Sequence, residues 1–460
     1  MRMYIINALA TVVVMFLTMA RVAPVLAADS AILIKNVTVI DGTGRAPQPG
    51  MSVLIVGDHI VSIRDHSITA PRGATVIDGK GKFLIPGLMD THIHLEGGRR
   101  GAMGPDRALA MDVDTGRRML HGYLYAGVTA LYDAGNYDKF IFSLRDAQRA
   151  GELIAPRIYA TGHLITRPGG YAAGGGAAGV DNYEQGVKAL DALLAQKPDL
   201  VKFTLAKHNV GGSTAELPTL EEDVLHRLFM YANERGFRTT IHAVEQTSQR
   251  AAVYAGINSL AHPVYMTETD NQLAHLIAAK GIPVSTTLVV LRNIYMVAED
   301  PSFFDEPMFQ AMMNKSDLAH FRDEERKRYQ TMNMASWGHQ AFRMASENVR
   351  KLYDAGATLA LGTDRTIGAT VHQELELIVG LGIPPLEAIR IGTLNAAIFL
   401  DIADKLGSIE EGKLADLVLL NADPSADIRN AKNISTVIQN GRVIDRSKLD
   451  LPINQPGTKQ

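Results

Sequence analysis

Between residues 86 and 403, short apolar, β-branched runs alternate with stretches long enough for a helix, and this alternation narrows the possible folds most. Eight runs read as strands: 88–92, 128–132, 157–160, 199–204, 239–242, 259–262, 283–289 and 358–361. Strands that are apolar on both faces and separated by helices are parallel and covered on each side. Eight of them suit a closed (β/α)8 barrel, in which chemistry sits at the C-terminal strand ends. A doubly wound open sheet is the rival topology, but no Gly-x-Gly-x-x-Gly turn follows the first strand. The expected fold is α/β, built on a (β/α)8 TIM barrel.

The flanks have another texture. Runs at 32–34, 37–40, 53–56 and 60–63 are broken by Asp41-Gly42 and Gly57-Asp58. Near the other end, 414–420 and 437–438 lead to Asn440-Gly441, a strong hairpin turn, and then to 442–444. Two β-rich ends around an α/β middle predict one small β-sandwich made from both termini, 28–85 and 404–460, beside a barrel over 86–403. The connection after the seventh strand is long, near 291–349, and carries helical stretches at 308–313 and 322–328. Such an insertion is placed to rise over the active face as a lid, or to serve packing and oligomerisation.

The first residues read as an address. Arg2 precedes an apolar run from Ile5 to Ala20, and Val25-Leu26-Ala27 is an acceptable cleavage site, so residues 1–27 are expected to be a signal peptide. Export to the periplasm or the medium follows; an uncleaved anchor is the alternative. With no cysteine in the chain, neither lipid attachment at a cysteine nor disulfides are available. The 433 residues after Ala27 suit one large barrel with a smaller domain. Loss of Arg2 and Arg21 leaves 44 basic against 49 acidic residues, without a basic tract, which argues against nucleic acid as a partner. No later apolar segment is long enough to span a bilayer. A homo-oligomer stays possible.

Chemistry-bearing side chains stand in or just after otherwise apolar strands. In Asp90-Thr91-His92-Ile93-His94, alternation sends both imidazoles to one side, about 7 Å apart along the strand. Lys202 lies mid-strand among Leu200, Val201 and Phe203, where a lone ammonium is costly. Two remedies are open: a buried acid partner, or reaction with carbon dioxide to a carbamate that could bridge two metals. His242, His262 and Asp364 each close a later strand. Singly they read as core histidines and a helix cap. Together the six make a nitrogen-and-oxygen donor set suited to zinc or a similar divalent ion.

These residues sit in Pro86-Gly87-Leu88-Met89-Asp90-Thr91-His92-Ile93-His94, Val201-Lys202, Ile241-His242-Ala243, Ala261-His262-Pro263 and Gly362-Thr363-Asp364. With Thr393-Leu394-Asn395-Ala396-Ala397 and the stretch from Leu406 to Leu417, they make the chain resemble the amidohydrolase superfamily, near its imidazolonepropionase-like and dipeptidase-like branches. The resemblance implies a metal-dependent hydrolase of C–N bonds in small amides or dipeptide-like substrates. It implies two divalent ions, one on His92, His94 and Asp364 and one on His242 and His262, with carboxylated Lys202 between them and Asp364 moving the proton. A single-metal site is the fallback if Lys202 is unmodified. The same metals could open a cyclic amide, lactone or ester; an exported metal-binding module without turnover is the reading from another class. Dipeptidase relatives often carry Gly-Gly-His after the third strand, whereas this chain has Gly169-Gly170-Tyr171. Arg167, Tyr171, His208 and Arg365 are the candidates to meet a substrate carboxylate.

Overall fold

A computed structural model describes residues 31–65, 68–95, 112–174, 176–211 and 215–454; the expected signal peptide lies outside the described residues. The strand Leu88–Ile93 is buried along its length and pairs in parallel with Val128–Asp133, which pairs with Arg157–Ala160. Leu200–Thr204, Arg238–His242, Ser259–Leu260, Val284–Ser285 and Leu359–Ala360 follow in parallel order. Backbone hydrogen bonds join the two arcs at both seams: Thr91 N–H donates to the Leu361 carbonyl at 2.8 Å, and Asp199 N–H to the Ala160 carbonyl at 2.9 Å. The barrel of eight strands is thereby closed. Its helices start at local caps; Asp112 accepts from the amides of Asp114 and Thr115, and Asn182 from that of Gln185.

The seventh strand ends earlier than its sequence suggests. It stops at Ser285, and Leu288 and Val289 already belong to the helix Leu288–Glu299. A short apolar run has no period to separate strand from helix. Here the chain turns at Thr287, whose φ is +38°. The insertion continues through Pro307–Met312 and Lys315–His320. The charged run at 322–328 divides between the wide turn Phe321–Glu325 and the helix Arg326–Thr331. It ends in the helix Met334–Asp354, packed on Leu288–Glu299.

Both ends of the described chain share one eight-stranded sheet. Ala31–Val39, bulged near Asn36, pairs antiparallel with Gln48–Val56 and in parallel with Thr75–Asp78 and Phe83–Pro86. Leu417–Leu420 adds to Phe83–Pro86 and is followed by Ile434–Gln439 and Arg442–Ile444. Ile34, Val53, Ile55, Leu84, Leu417, Leu419 and Ile438 form its common core. Asn440 and Gly441 both take positive φ, 49° and 65°, as a two-residue hairpin requires. Arg157, on a barrel strand, grips buried Asp416 beside the sheet, with Nε 2.9 Å from Oδ2. Among the described residues no helix is long and apolar enough to cross a membrane.

Candidate metal centre

His92 and His94 leave the first strand toward the barrel mouth. His92 Nδ1 lies 2.9 Å from the Ala261 carbonyl, and His94 Nδ1 lies 2.8 Å from the Gly135 carbonyl. A carbonyl only accepts, so each ring carries its proton on Nδ1 and leaves a lone pair on Nε2. The two Nε2 atoms are 3.4 Å apart. Two lone pairs facing each other at that distance repel unless a cation stands with them. Burial holds His92 well below the ordinary imidazole range, with Lys202 adding to the effect.

Lys202 is 2 % exposed, and its Nζ stands 3.1 Å from His92 Nε2. Burial lowers its pKa to about 8, against the attraction of Asp364 and Asp133. Among the described residues no carboxylate comes within ion-pair distance of the amine. The two acids act on the amine through space, without a direct ion pair.

His242 closes the strand Arg238–His242 and lies flat against Tyr171, ring centres 3.9 Å apart. Its Nε2 is buried with no hydrogen-bond partner among the described residues. Its ring is 4.6 Å from that of His262, which is 4.4 Å from that of His92. His262 Nδ1 stands 3.0 Å from the Thr287 hydroxyl. Burial pushes both rings well below the usual range, so both stay neutral and able to donate a lone pair.

Asp364 sits in the left-handed region, φ +50°, after the eighth strand. Its Oδ1 is 3.5 Å from His94 Nε2 and 3.8 Å from His92 Nε2, and burial raises its pKa to about 6. Donor atoms of His92, His262 and Asp364 all lie within 4.8 Å of one another. All six residues singled out in the sequence thus meet at the C-terminal mouth of the barrel. Neutral imidazoles, an orphaned buried Nε2 and a carboxylate fit a divalent ion of the zinc kind.

The four candidate substrate contacts divide. Tyr171 borders the centre through its stack on His242. The Arg365 backbone follows Asp364, and its Nη2 donates to the Val290 carbonyl at 3.0 Å. His208 Nδ1 is 3.2 Å from Oε1 of Glu245, three residues past His242. The Arg167 guanidinium is engaged on Asp181, 3.3 Å from its carboxylate.

Other residues were not singled out from sequence. Asp90 accepts from the amides of His92 and Thr363 and from the Thr363 hydroxyl, tying the first strand to the eighth. Burial raises its pKa to about 8. Its signal was present: a carboxylate inside the apolar run before His92. Tyr265 follows His262, and its ring is 6.1 Å from that of Trp337 in the insertion. Through Trp337 and Val290 the insertion and its first turn reach Tyr265 and Arg365, which lie close to His262 and Asp364 in the chain.

The profile of the Amidohydrolase family matches residues 83–444. An imidazolonepropionase of Geobacillus sp. (strain WCH70) is 39% identical over 108 residues, a local likeness spanning 22% of this chain and 26% of that one. Ochratoxinase of Aspergillus niger is 24% identical over 416 residues, 82% of this chain and 79% of the relative. Among solved structures, a Xaa-Pro dipeptidase with methionine bound in its active site superposes with a TM-score of 0.73 at 25% identity, covering 90% of this chain and 100% of its own. Phenylurea hydrolase B gives a TM-score of 0.74 at 25% identity, over 93% of this chain and 100% of its own. With a match that runs from the last strand before the barrel to the last strand of the flanking sheet, and with six donors gathered at the barrel mouth, this chain belongs to the amidohydrolase family.

Proposed function

We propose that this amidohydrolase works with two divalent ions, zinc being the ion its donors suit, and hydrolyses the C–N bond of a small amide or dipeptide-like substrate carrying a free carboxylate. The observation that carries the reading is the shared tautomer of His92 and His94, whose Nδ1 atoms face carbonyls while their Nε2 atoms meet beside Asp364. His92, His94 and Asp364 would hold one ion and His242 and His262 the other. Carboxylated Lys202 would lie between them, a role supported by its burial beside His92 with no carboxylate in direct ion-pair contact among the described residues. When bound, such ions acidify water and polarise a carbonyl. Asp364 takes the proton of the attacking water and returns it to the leaving nitrogen.

Arg365 is the proposed carboxylate anchor. Its Nε is buried with no partner, and its guanidinium makes no ion pair, among the described residues. A buried cationic donor left unmatched favours an anionic ligand. Tyr171, flat on His242, would line the wall beside the scissile bond. The test is a panel of dipeptides and N-acyl amino acids beside their C-terminal amides, with esters included. Wild-type protein should prefer the free acids, and Arg365→Met should raise their KM at least tenfold while leaving the amides unchanged. Equal effects on acids and amides would remove the anchor role. Export after cleavage behind Ala27 is part of the same proposal, and N-terminal sequencing of the chain from its native host tests it.

A further inference from the structure

The helix Leu288–Glu299 opens the insertion, and its first amides need acceptors. Thr287 stands in the cap position, where a threonine ordinarily turns its hydroxyl onto the helix amides. It makes no such bond, and its φ of +38° is a strained value for a β-branched residue. The amides are taken from outside. Glu374, on the helix Thr370–Gly380, accepts from Leu288 N–H at 2.9 Å through Oε1 and from Val289 N–H at 2.6 Å through Oε2. Glu374 is fully buried. Its neighbour Gln373 accepts from Asn293 of the same helix at 3.1 Å. Relieved of capping, the Thr287 hydroxyl lies 3.0 Å from His262 Nδ1. Thr287 N–H donates to the Gly362 carbonyl at 3.0 Å, which fixes the turn against the strand that leads to Asp364.

We propose that Glu374 is a positioning residue for His262: by capping the insertion helix in place of Thr287, it frees and fixes the hydroxyl that orients the imidazole. The proposal rests on the reading of His262 as a metal ligand. With its Nδ1–H donating to Thr287 Oγ1, His262 keeps the Nε2 lone pair for the ion. The same clamp sets the first turn of the insertion, whose Val290 carbonyl holds Arg365. Ligand orientation and substrate anchor thus share one support.

The test uses the full chain with zinc as the probe. Zinc affinity by chelator competition, kcat and Tm are measured for E374Q, T287V, T287S and the double variant E374Q/T287V. T287V should bind one of its two zinc ions ten- to a hundredfold more weakly and lose kcat with it, the scale set by partners of metal-bound histidines. T287S, which keeps the hydroxyl, should restore both. E374Q should show a like loss, and the double variant should fall no more than about threefold beyond the worse single one, because both cut the same link. A cap that only stabilises the helix would lower the Tm of E374Q with zinc affinity and kcat intact, or give losses that multiply in the double variant; either result overturns the proposal. T287V with wild-type zinc affinity overturns it whether or not E374Q folds. H262A separates the underlying reading: if it keeps both ions at full affinity, His262 is no ligand, and the proposal falls with that reading.

Discussion

Replacing Asp364 by asparagine changes one oxygen into an NH2 group and nothing in the shape. The backbone tolerates it, because asparagine is among the residues that accept the left-handed region where Asp364 sits at φ +50°. The Asp364 N–H bond to the His92 carbonyl, 2.7 Å, does not involve the side chain. Burial already raises the Asp364 pKa to about 6, so its charge is held against a desolvation cost that a neutral amide escapes. Asp364→Asn should therefore fold normally and, above pH 6, have a Tm at least as high as that of the metal-free wild-type chain. Its remaining Oδ1 stays near His92 and His94, so much of the metal should remain. What the amide lacks is a basic site. Turnover should fall about 100-fold or more, about 2.7 kcal/mol in barrel-bound transition-state stabilisation, the usual scale of general acid–base catalysis. Steady-state kinetics on metal-loaded protein, with metal content measured on the same samples, is the assay. The acidic limb of kcat/KM should vanish from the residual activity, since asparagine has nothing to protonate there. Near-normal turnover with both ions bound would exclude Asp364 as the proton carrier and assign proton transfer to another group.

Lys202→Ala should lose activity and recover part of it with added short-chain carboxylates, which would stand in for the oxygens of the proposed carbamate; full activity without them would exclude the bridging role. His372, buried with its Nε2 2.9 Å from the Ala126 carbonyl, has its pKa lowered by burial from 6.5 to about 4. The unfolded chain binds a proton there near pH 6.5 while the folded chain resists until about 4, so stability is lost as pH falls through that window, at about 1.4 kcal/mol per unit. His372→Gln should shrink the difference in unfolding free energy between pH 7 and pH 4.5 by about 2–3 kcal/mol in denaturant titrations; an unchanged difference would contradict this.

Much of the centre was legible because strands make spacing meaningful. Alternation placed His92 and His94 on one side, and a lysine among Leu200, Val201 and Phe203 had to find a partner or a modification. His242, His262 and Asp364 gained weight only from falling at successive strand ends. The support of these residues was far less legible. Leu288 and Val289 look like the tail of a strand, and only Glu374, more than eighty residues on, makes them the start of a helix. Glu374 itself lies in a helix, where a glutamate ordinarily marks the solvent face; its complete burial follows from tertiary packing that no local pattern records. The left-handed turn at Thr287 is hidden for the same reason, since β-branched residues rarely adopt it. Asp90 was within reach, as a carboxylate in an apolar strand must find donors, and it finds them in His92 and Thr363.

The most direct test of a two-ion hydrolase is elemental analysis of the purified chain, followed by chelation and stepwise return of zinc while amide hydrolysis is recorded. Two zinc ions per chain are expected, with activity abolished by chelation and fully regained only as the second equivalent binds. Full activity at one ion or none per chain would contradict the account.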